Sequence, residues 1–147
     1  MTRRAQSDHA QGLAQLRALA ETAAGQNALE ARTETIEKAD RLHQAQQRHF
    51  LAQDLWQSQL LHRPDPAQLQ LSAAWLVAQQ RHVNEANLVH DAAQSREQHA
   101  LVRYSRAGAE RRVADEIARE ARRDLLRYEA RQADDAVADL VLARRVR

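Results

Sequence analysis

Apolar and small residues recur every three or four positions along the second half of the chain. This spacing places them on one stripe of an α-helix and is typical of a coiled-coil seam. The polar members of the stripe fall in its middle, and the phase changes near Gly108. The predicted seam residues are Leu69, Ala73, Leu76, Gln80, Val83, Asn87, His90, Gln94, Glu97, Leu101 and Tyr104, then Leu126, Ala130, Ala133, Val137 and Leu140.

The first part of the chain has a weaker pattern of the same kind. It predicts another helix with a seam, and large apolar side chains crowd the end of this helix. The predicted seam residues are Leu13, Leu16, Ala20 and Ala23, then Leu29, Ile36, His43 and Phe50 at steps of seven.

Helix is interrupted decisively at one place, the segment LLHRPDPAQLQL, which contains Pro64 and Pro66. Proline lacks an amide donor and disfavours helical backbone in the residue before it. Asp65 is suited to capping a new helix with Pro66 as its first residue. We therefore predict a helix over about 7–61, a turn over 62–66 and a helix over about 67–144. A short connection favours an antiparallel α-helical hairpin, with the second helix longer than the first.

The composition supports an all-α coiled coil and argues against a thick core. The chain has 147 residues, with 3 Gly, 2 Pro and only 3% aromatic residues, whereas a β-rich protein needs more turn residues and more aromatics. Much of its hydrophobic fraction is Ala, which buries little apolar surface. These residues can line a seam between two helices, and the thin seam leaves self-association open.

Charge and residue usage narrow the class of protein further. The net charge is +2, and this balance together with few aromatics disfavours nucleic-acid binding. The chain has no Cys, which excludes disulfides and cysteine-ligated metals. No apolar run is long enough to span a membrane, and no signal-peptide pattern opens the chain, so we expect no membrane insertion and a cytoplasmic location. Lys38 is the single Lys among many Arg, which suggests a GC-rich, bacterial genome.

Motifs for catalysis or metal binding do not occur in the sequence. Three scattered Gly cannot build a phosphate-binding loop, and the zinc motif HExxH is missing. The seven His are spaced as seam or surface residues, for example His43 and His49, which fall on different faces of a helix. We expect no catalytic residues, no cofactor and no metal, so the chain is predicted not to be an enzyme.

Two features are candidates for protein binding. Trp56 and Trp75 lie with Leu neighbours on either side of the proline turn, where they either pack the end of the hairpin or form an exposed patch for a partner. The second feature is a row of arginines at steps of four, preceded by an acidic row. The rows either brace a solvated helix or offer a cationic contact to an acidic partner, together with the tail. The arginines are Arg119, Arg123, Arg127 and Arg131, the acids are Glu116, Glu120 and Asp124, and the tail holds Arg144, Arg145 and Arg147.

The layout resembles one known family. Residues 125–145, LLRYEARQADDAVADLVLARR, combine Arg and acidic residues with Ala and Leu in the seam. This segment is similar to the end of the second helix in the central-stalk proteins of type III secretion and flagellar export ATPases (the FliJ/YscO/HrpO-like family). The likeness extends to the length of the hairpin and to its longer second helix.

The resemblance implies a mechanical role and two partners. Members of the family place the free ends of the hairpin in the pore of a hexameric export ATPase, and the opposite end reaches toward the export-gate protein at the inner membrane. For this chain it implies ATPase contacts near the free ends and gate contacts at Trp56 and Trp75. The residues expected to contact the ATPase are Arg3, Arg4, Arg17, Arg127, Arg131 and Arg144.

Two other functions remain open at this stage. A generic cytoplasmic coiled-coil scaffold or chaperone-like adaptor would need no ATPase, and pairing of hairpins into a four-helix bundle would favour it. A nucleic-acid-binding helical protein would use the arginine rows, and strongly salt-dependent binding to DNA or RNA would favour that function.

Overall fold

The chain folds as an antiparallel hairpin of two α-helices, as the sequence predicts. A computed structural model describes residues 2–63 and 65–145, apart from the side chain of Arg145. Helix α1 is Arg3–Leu61, of 59 residues, and helix α2 is Pro66–Arg145, of 80 residues. No strand occurs in the described residues. Neither helix is both long enough and apolar enough, in its described part, to cross a membrane.

The connection between the helices ends α1 with a left-handed residue and caps the start of α2 with a side chain. Arg63 adopts a left-handed backbone conformation with φ of 48°, which ends α1. The carboxylate of Asp65 accepts a hydrogen bond from the amide of Ala67 at 3.4 Å, so Asp65 caps α2 as predicted. Pro64, one of the two predicted helix breakers, lies outside the described residues.

The hairpin consists of two compact units, and each unit contains a part of both helices. The N-terminal unit combines α1 through Ala24 with α2 from Arg103 onward. The turn unit is Gly25–Val102. In each unit the burial of α1 and α2 follows a heptad spacing, because each helix turns one stripe of side chains toward the other.

Alanine forms the buried core of both units. Ala52 and Ala93 are 0% exposed, and no large side chain is fully buried in the described part of the chain. Small side chains let two helix backbones approach closely but remove little apolar surface from water. The core is therefore thin, as the composition predicts. Its buried hydrophobic residues are Ala10, Ala28, Ala52, Ala93, Ala100 and Ala114.

Half of the predicted seam in α2 is displaced by one residue. The positions at steps of seven from Leu69 to Glu97 are half-buried, as expected. At the other seam position of each heptad, however, the buried residue comes one place earlier than predicted: Ala100 is 3% exposed, whereas the predicted Leu101 is 49% exposed. The residues that occupy these positions are Ser72, Gln79, Ala86, Ala93 and Ala100, in place of the predicted Ala73, Gln80, Asn87, Gln94 and Leu101.

In the N-terminal unit the predicted α1 seam residues Leu13, Leu16, Ala20 and Ala23 are exposed, and residues one position later, Ala14, Glu21 and Ala24, are half-buried instead. In the turn unit the predicted seam of α1 is wrong by one residue in the same direction as that of α2. Ala28 is 6% exposed, while the neighbouring Leu29 is 67% exposed. Two stripes of the same period lie side by side on this helix, and the stripe of smaller residues faces α2. The seam contains Ala28, Thr35, Leu42 and His49, and the predicted Leu29, Ile36, His43 and Phe50 are exposed.

The predicted change of phase near Gly108 is also wrong. The α2 seam continues at steps of seven through Ala100, Ala107, Ala114 and Ala121, all buried or half-buried. The predicted second run is exposed instead, with Val137 at 60% and Leu140 at 67%. The physical reason is the extent of α1: the guanidinium of Arg3 stacks 4.7 Å above the ring of Tyr128, so the described part of α1 has no residue to cover α2 beyond that point.

Candidate functional site

Charged side chains join the two helices in the N-terminal unit. Arg17 donates a hydrogen bond of 2.7 Å to Glu110 across the helix pair. Arg106, one helical turn before Glu110, donates to the other oxygen of the same carboxylate at 3.0 Å. Glu110 is thus held by one arginine from each helix, which fixes its position on the surface.

A second cross-helix pair lies at the edge of the seam. Arg111 donates to Glu21 at 2.7 Å and also lies 3.5 Å from Asp115 on its own helix. Its hydrogen bond to Glu21 and the nearby negative charges raise the pKa of Arg111 above its ordinary value. Glu21 is half-buried and Arg111 is exposed, and a charge pair between the helices helps to specify which part of one helix faces which part of the other.

Five of the six predicted ATPase-facing arginines divide into two structural groups. Arg3 stacks on Tyr128, and Arg17 pairs with Glu110, so both connect α1 to α2. Arg4, Arg131 and Arg144 are exposed, and none has a carboxylate within 4.0 Å among the residues that the structure describes. The second group therefore offers charge that is not already neutralised by a neighbour.

The arginine row on α2 is partly braced by the preceding acidic row. Arg119 lies 3.1 Å from Glu116, and Arg127 lies 3.8 Å from Asp124. These exposed pairs of the type i,i+3 contribute little to stability. The two pairs show that acidic residues on the same helix neutralise part of the arginine row but do not neutralise Arg131. Arg147 and the side chain of Arg145, which belong to the predicted cationic tail, lie outside the described residues.

Shallow grooves run along the helix pair in the N-terminal unit. One hollow, of about 370 Å³, is floored by small side chains such as Ala14, Ala18 and Ala118 and edged by Arg119 and Arg122. Another hollow, of about 320 Å³, is lined by Leu13, Val113 and Ile117. Within the described ranges, no group of three His, Asp or Glu is arranged to hold a metal ion. These grooves can receive apolar side chains of another protein.

The two tryptophans of the turn unit have different environments. Trp56 occupies a seam position and is half-buried, whereas Trp75 is 41% exposed. Leu61 and Leu71 beside them are 83% and 73% exposed. Of the two interpretations of this cluster, packing applies to Trp56, while Trp75 and the leucines form an uncovered apolar patch.

The cross-helix ion pairs were not anticipated from the sequence, although a signal for them exists. Residues that pair across an antiparallel hairpin stand at nearly equal distances from its turn, as do Arg17 and Glu110 or Glu34 and Arg96. A search for opposite charges at equal distances from the turn would have found both pairs.

Comparison with known proteins does not assign the chain to a family. No protein-family model matches it, and no curated protein or solved structure is significantly similar to it.

Proposed function

We propose that this chain is a non-enzymatic interaction protein that works as the central stalk of a type III secretion export ATPase. In this role it lies in the cytoplasm beside an inner-membrane secretion apparatus and couples the ATPase ring to the export gate. The proposal rests on the family resemblance of residues 125–145 and on one structural observation, the uncovered end of α2.

That uncovered end has the chemistry of a protein-binding segment. Beyond Tyr128, the residues of α2 that the structure describes are exposed, and they include Val137, Leu140 and Val141 together with the unneutralised Arg131 and Arg144. A single helix with an apolar stripe is stabilised when a groove or ring covers the stripe. The arginines add attraction to an acidic partner and accelerate its encounter.

The turn unit supplies the second contact that the proposal requires. Trp75 and the exposed leucines near the turn are apolar and large, as expected for residues that anchor a protein interface. The proposal assigns this patch to the export-gate protein. Within the turn unit the seam consists largely of small and polar residues, with a few larger ones such as Leu42 and Val83, and this composition permits adjustment to a ring whose subunits change conformation.

The experiment is a binding and activity assay with the hexameric export ATPase from the same genome. We expect the full chain to co-elute with the hexamer and to raise its rate of ATP hydrolysis. Charge reversal by Arg131→Glu and Arg144→Glu should weaken both effects, whereas the matched reversal of exposed arginines in the turn unit, Arg41→Glu and Arg48→Glu, should not.

Failure of that assay has a defined meaning. If a helical, monodisperse sample neither binds the ATPase nor changes its turnover, the stalk function is overturned. The second candidate is then a cytoplasmic coiled-coil scaffold or chaperone-like adaptor. Large apolar residues on α1 away from the free ends, such as Ile36 at 55% and Phe50 at 62% exposure, favour this alternative.

A further inference from the structure

Helix α1 carries two parallel stripes in the turn unit, and only one of them faces α2. The covered stripe contains Ala28, and the uncovered stripe follows it by one residue. Leu29, Ile36 and Phe50 of the uncovered stripe are 67%, 55% and 62% exposed, and the exposed His43 completes its spacing of seven. A helix with two stripes of period seven is typical of a bundle with more than two helices.

The two sides of the helix pair differ in charge. In an antiparallel pair, residues that directly follow seam residues lie on one side, and residues that directly precede them lie on the other. The preceding side is rich in charge, and the ion pair of Arg96 with Glu34, at 3.1 Å, lies there. The following side has two charged residues between Leu29 and Gln94, namely Arg32 and Asp91.

The charge-poor side is built of apolar, histidine and amide side chains, and we call it the amide face. The side chain of Gln80 donates to Asn84 at 3.0 Å, and that of Gln47 bonds His43 at 2.9 Å, so its amides are partly ordered by their own neighbours. The amide face consists of Leu29, Ile36, His43 and Phe50 of α1 with Gln80, Asn84, Asn87 and Gln94 of α2.

We propose that the amide face binds the amide face of a second copy of this chain. Amide groups both donate and accept hydrogen bonds, so one amide face can satisfy another, and little like charge is brought together. A strongly charged partner would instead leave its charges opposite apolar groups, at a cost in desolvation. A two-fold axis, the commonest symmetry of homo-oligomers, places the same surface on both sides of the contact.

The spacing of the stripe agrees with an antiparallel arrangement of the two copies of α1. Its four large residues are symmetric about the point between Ala39 and Asp40. An antiparallel copy therefore brings Leu29 opposite Phe50 of the second copy, over a contact about 30 Å long at about 1.5 Å per residue. A hollow of about 450 Å³ beside Phe50, lined also by His43 and Gln46, can receive the leucine.

The test of this inference is separable from that of the stalk proposal, because it uses the turn unit whereas the ATPase assay depends on arginines of the N-terminal unit. The test is sedimentation equilibrium of the full chain over a range of micromolar concentrations. We expect a dimer of the 16.7 kDa chain. The variant Ile36→Glu/Phe50→Glu should be monomeric, with the dissociation constant raised at least about 100-fold, because glutamate would lie against apolar groups.

The matched control changes two exposed apolar residues on the opposite side of the helix pair. Leu55 and Val89, which directly precede the seam residues Trp56 and His90, are 46% and 44% exposed in the same unit, and Leu55→Glu/Val89→Glu should leave the dimer unchanged. Circular dichroism checks that both variants remain helical. A monomeric native chain, or a dimer that survives Ile36→Glu/Phe50→Glu, would overturn the proposal, as would equal losses in both variants.

A cross-linking experiment tests the arrangement itself. Because the chain has no cysteine, a single Ala39→Cys substitution places one thiol per copy near the midpoint of the stripe. Mild oxidation should produce a covalent dimer, since a disulfide forms only when the two Cα atoms are about 4.4–6.8 Å apart. Val89→Cys, on the opposite side of the helix pair, should remain monomeric in the same conditions. Equal cross-linking at the two positions would contradict an interface at the amide face.

Discussion

The carboxylate of Glu21 on α1 lies against Gly108 on α2, where a larger side chain would meet the end of the Glu21 side chain. A Cβ atom at Gly108 would stand 3.0 Å from Oε1 of Glu21, while the other carboxylate oxygen accepts the hydrogen bond from Arg111. The missing side chain of Gly108 thus gives Glu21 the position from which it reaches Arg111.

Alanine in place of Gly12 or Gly108 separates helix propensity from this contact. Gly12→Ala meets nothing within 4 Å and should raise the free energy of unfolding by about 0.5–1 kcal/mol, because glycine is unfavourable inside a helix. Gly108→Ala should give a smaller gain, since the end of the Glu21 side chain must move. Urea unfolding of both variants measures the difference, and an equal gain would show that the position of Glu21 has no energetic consequence.

The pair of Glu21 and Arg111 should respond to salt, while Arg111 itself should keep its charge as the pH rises. A raised folded-state pKa contributes stability that is lost only as the pH rises through it, and that of Arg111 lies above the ordinary range. Salt, in contrast, screens a pair as exposed as this one. Arg111→Gln should therefore lower the melting temperature in dilute salt and have less effect in concentrated salt. A loss that is the same at every salt concentration would indicate lost packing instead of lost charge.

Enlarging the alanine seam should destabilise the hairpin. Ala52 is 0% exposed, so Ala52→Leu must push the helices apart, and we expect a loss of about 1–3 kcal/mol in the free energy of unfolding. Ala74→Leu, at an exposed position of α2, is the matched control and should change stability by less than about 0.5 kcal/mol. If both variants were equally stable, Ala52 would not lie in a close-packed seam.

Hydrogen exchange should distinguish the covered and uncovered parts of α2. The seam around Ala93 and Ala100 is buried, whereas the described side chains beyond Tyr128 are exposed. A helix without tertiary packing is marginally stable in water, so amides of residues 130–144 should exchange much faster than amides of residues 86–100. Addition of the export ATPase should slow exchange in 130–144 if the stalk proposal is right.

The fold could be predicted from the sequence because its determinants are local. Pro66 and the heptad spacing are sufficient for two helices and a turn, and Asp65 gives the start of α2. The seam could not be placed because Ala28 and Leu29 begin stripes of equal period one residue apart. Size favoured the leucine, but the close approach of the helices selects the alanine. The ion pair of Glu110 with Arg17 was missed for a different reason, because opposite charges at equal distances from the turn were not compared.

An alanine seam also determines how this protein responds to temperature. The heat capacity change of unfolding arises chiefly from apolar surface that becomes exposed to water, and globular proteins average about 12–15 cal/mol/K per residue. Here the buried hydrophobic residues are alanines, and most large apolar side chains are already in contact with water in the folded chain. The isolated hairpin should therefore have a flat stability curve, with a broad thermal transition and little tendency to unfold in the cold. The thermal transition should become sharper only when a partner covers the exposed apolar side chains.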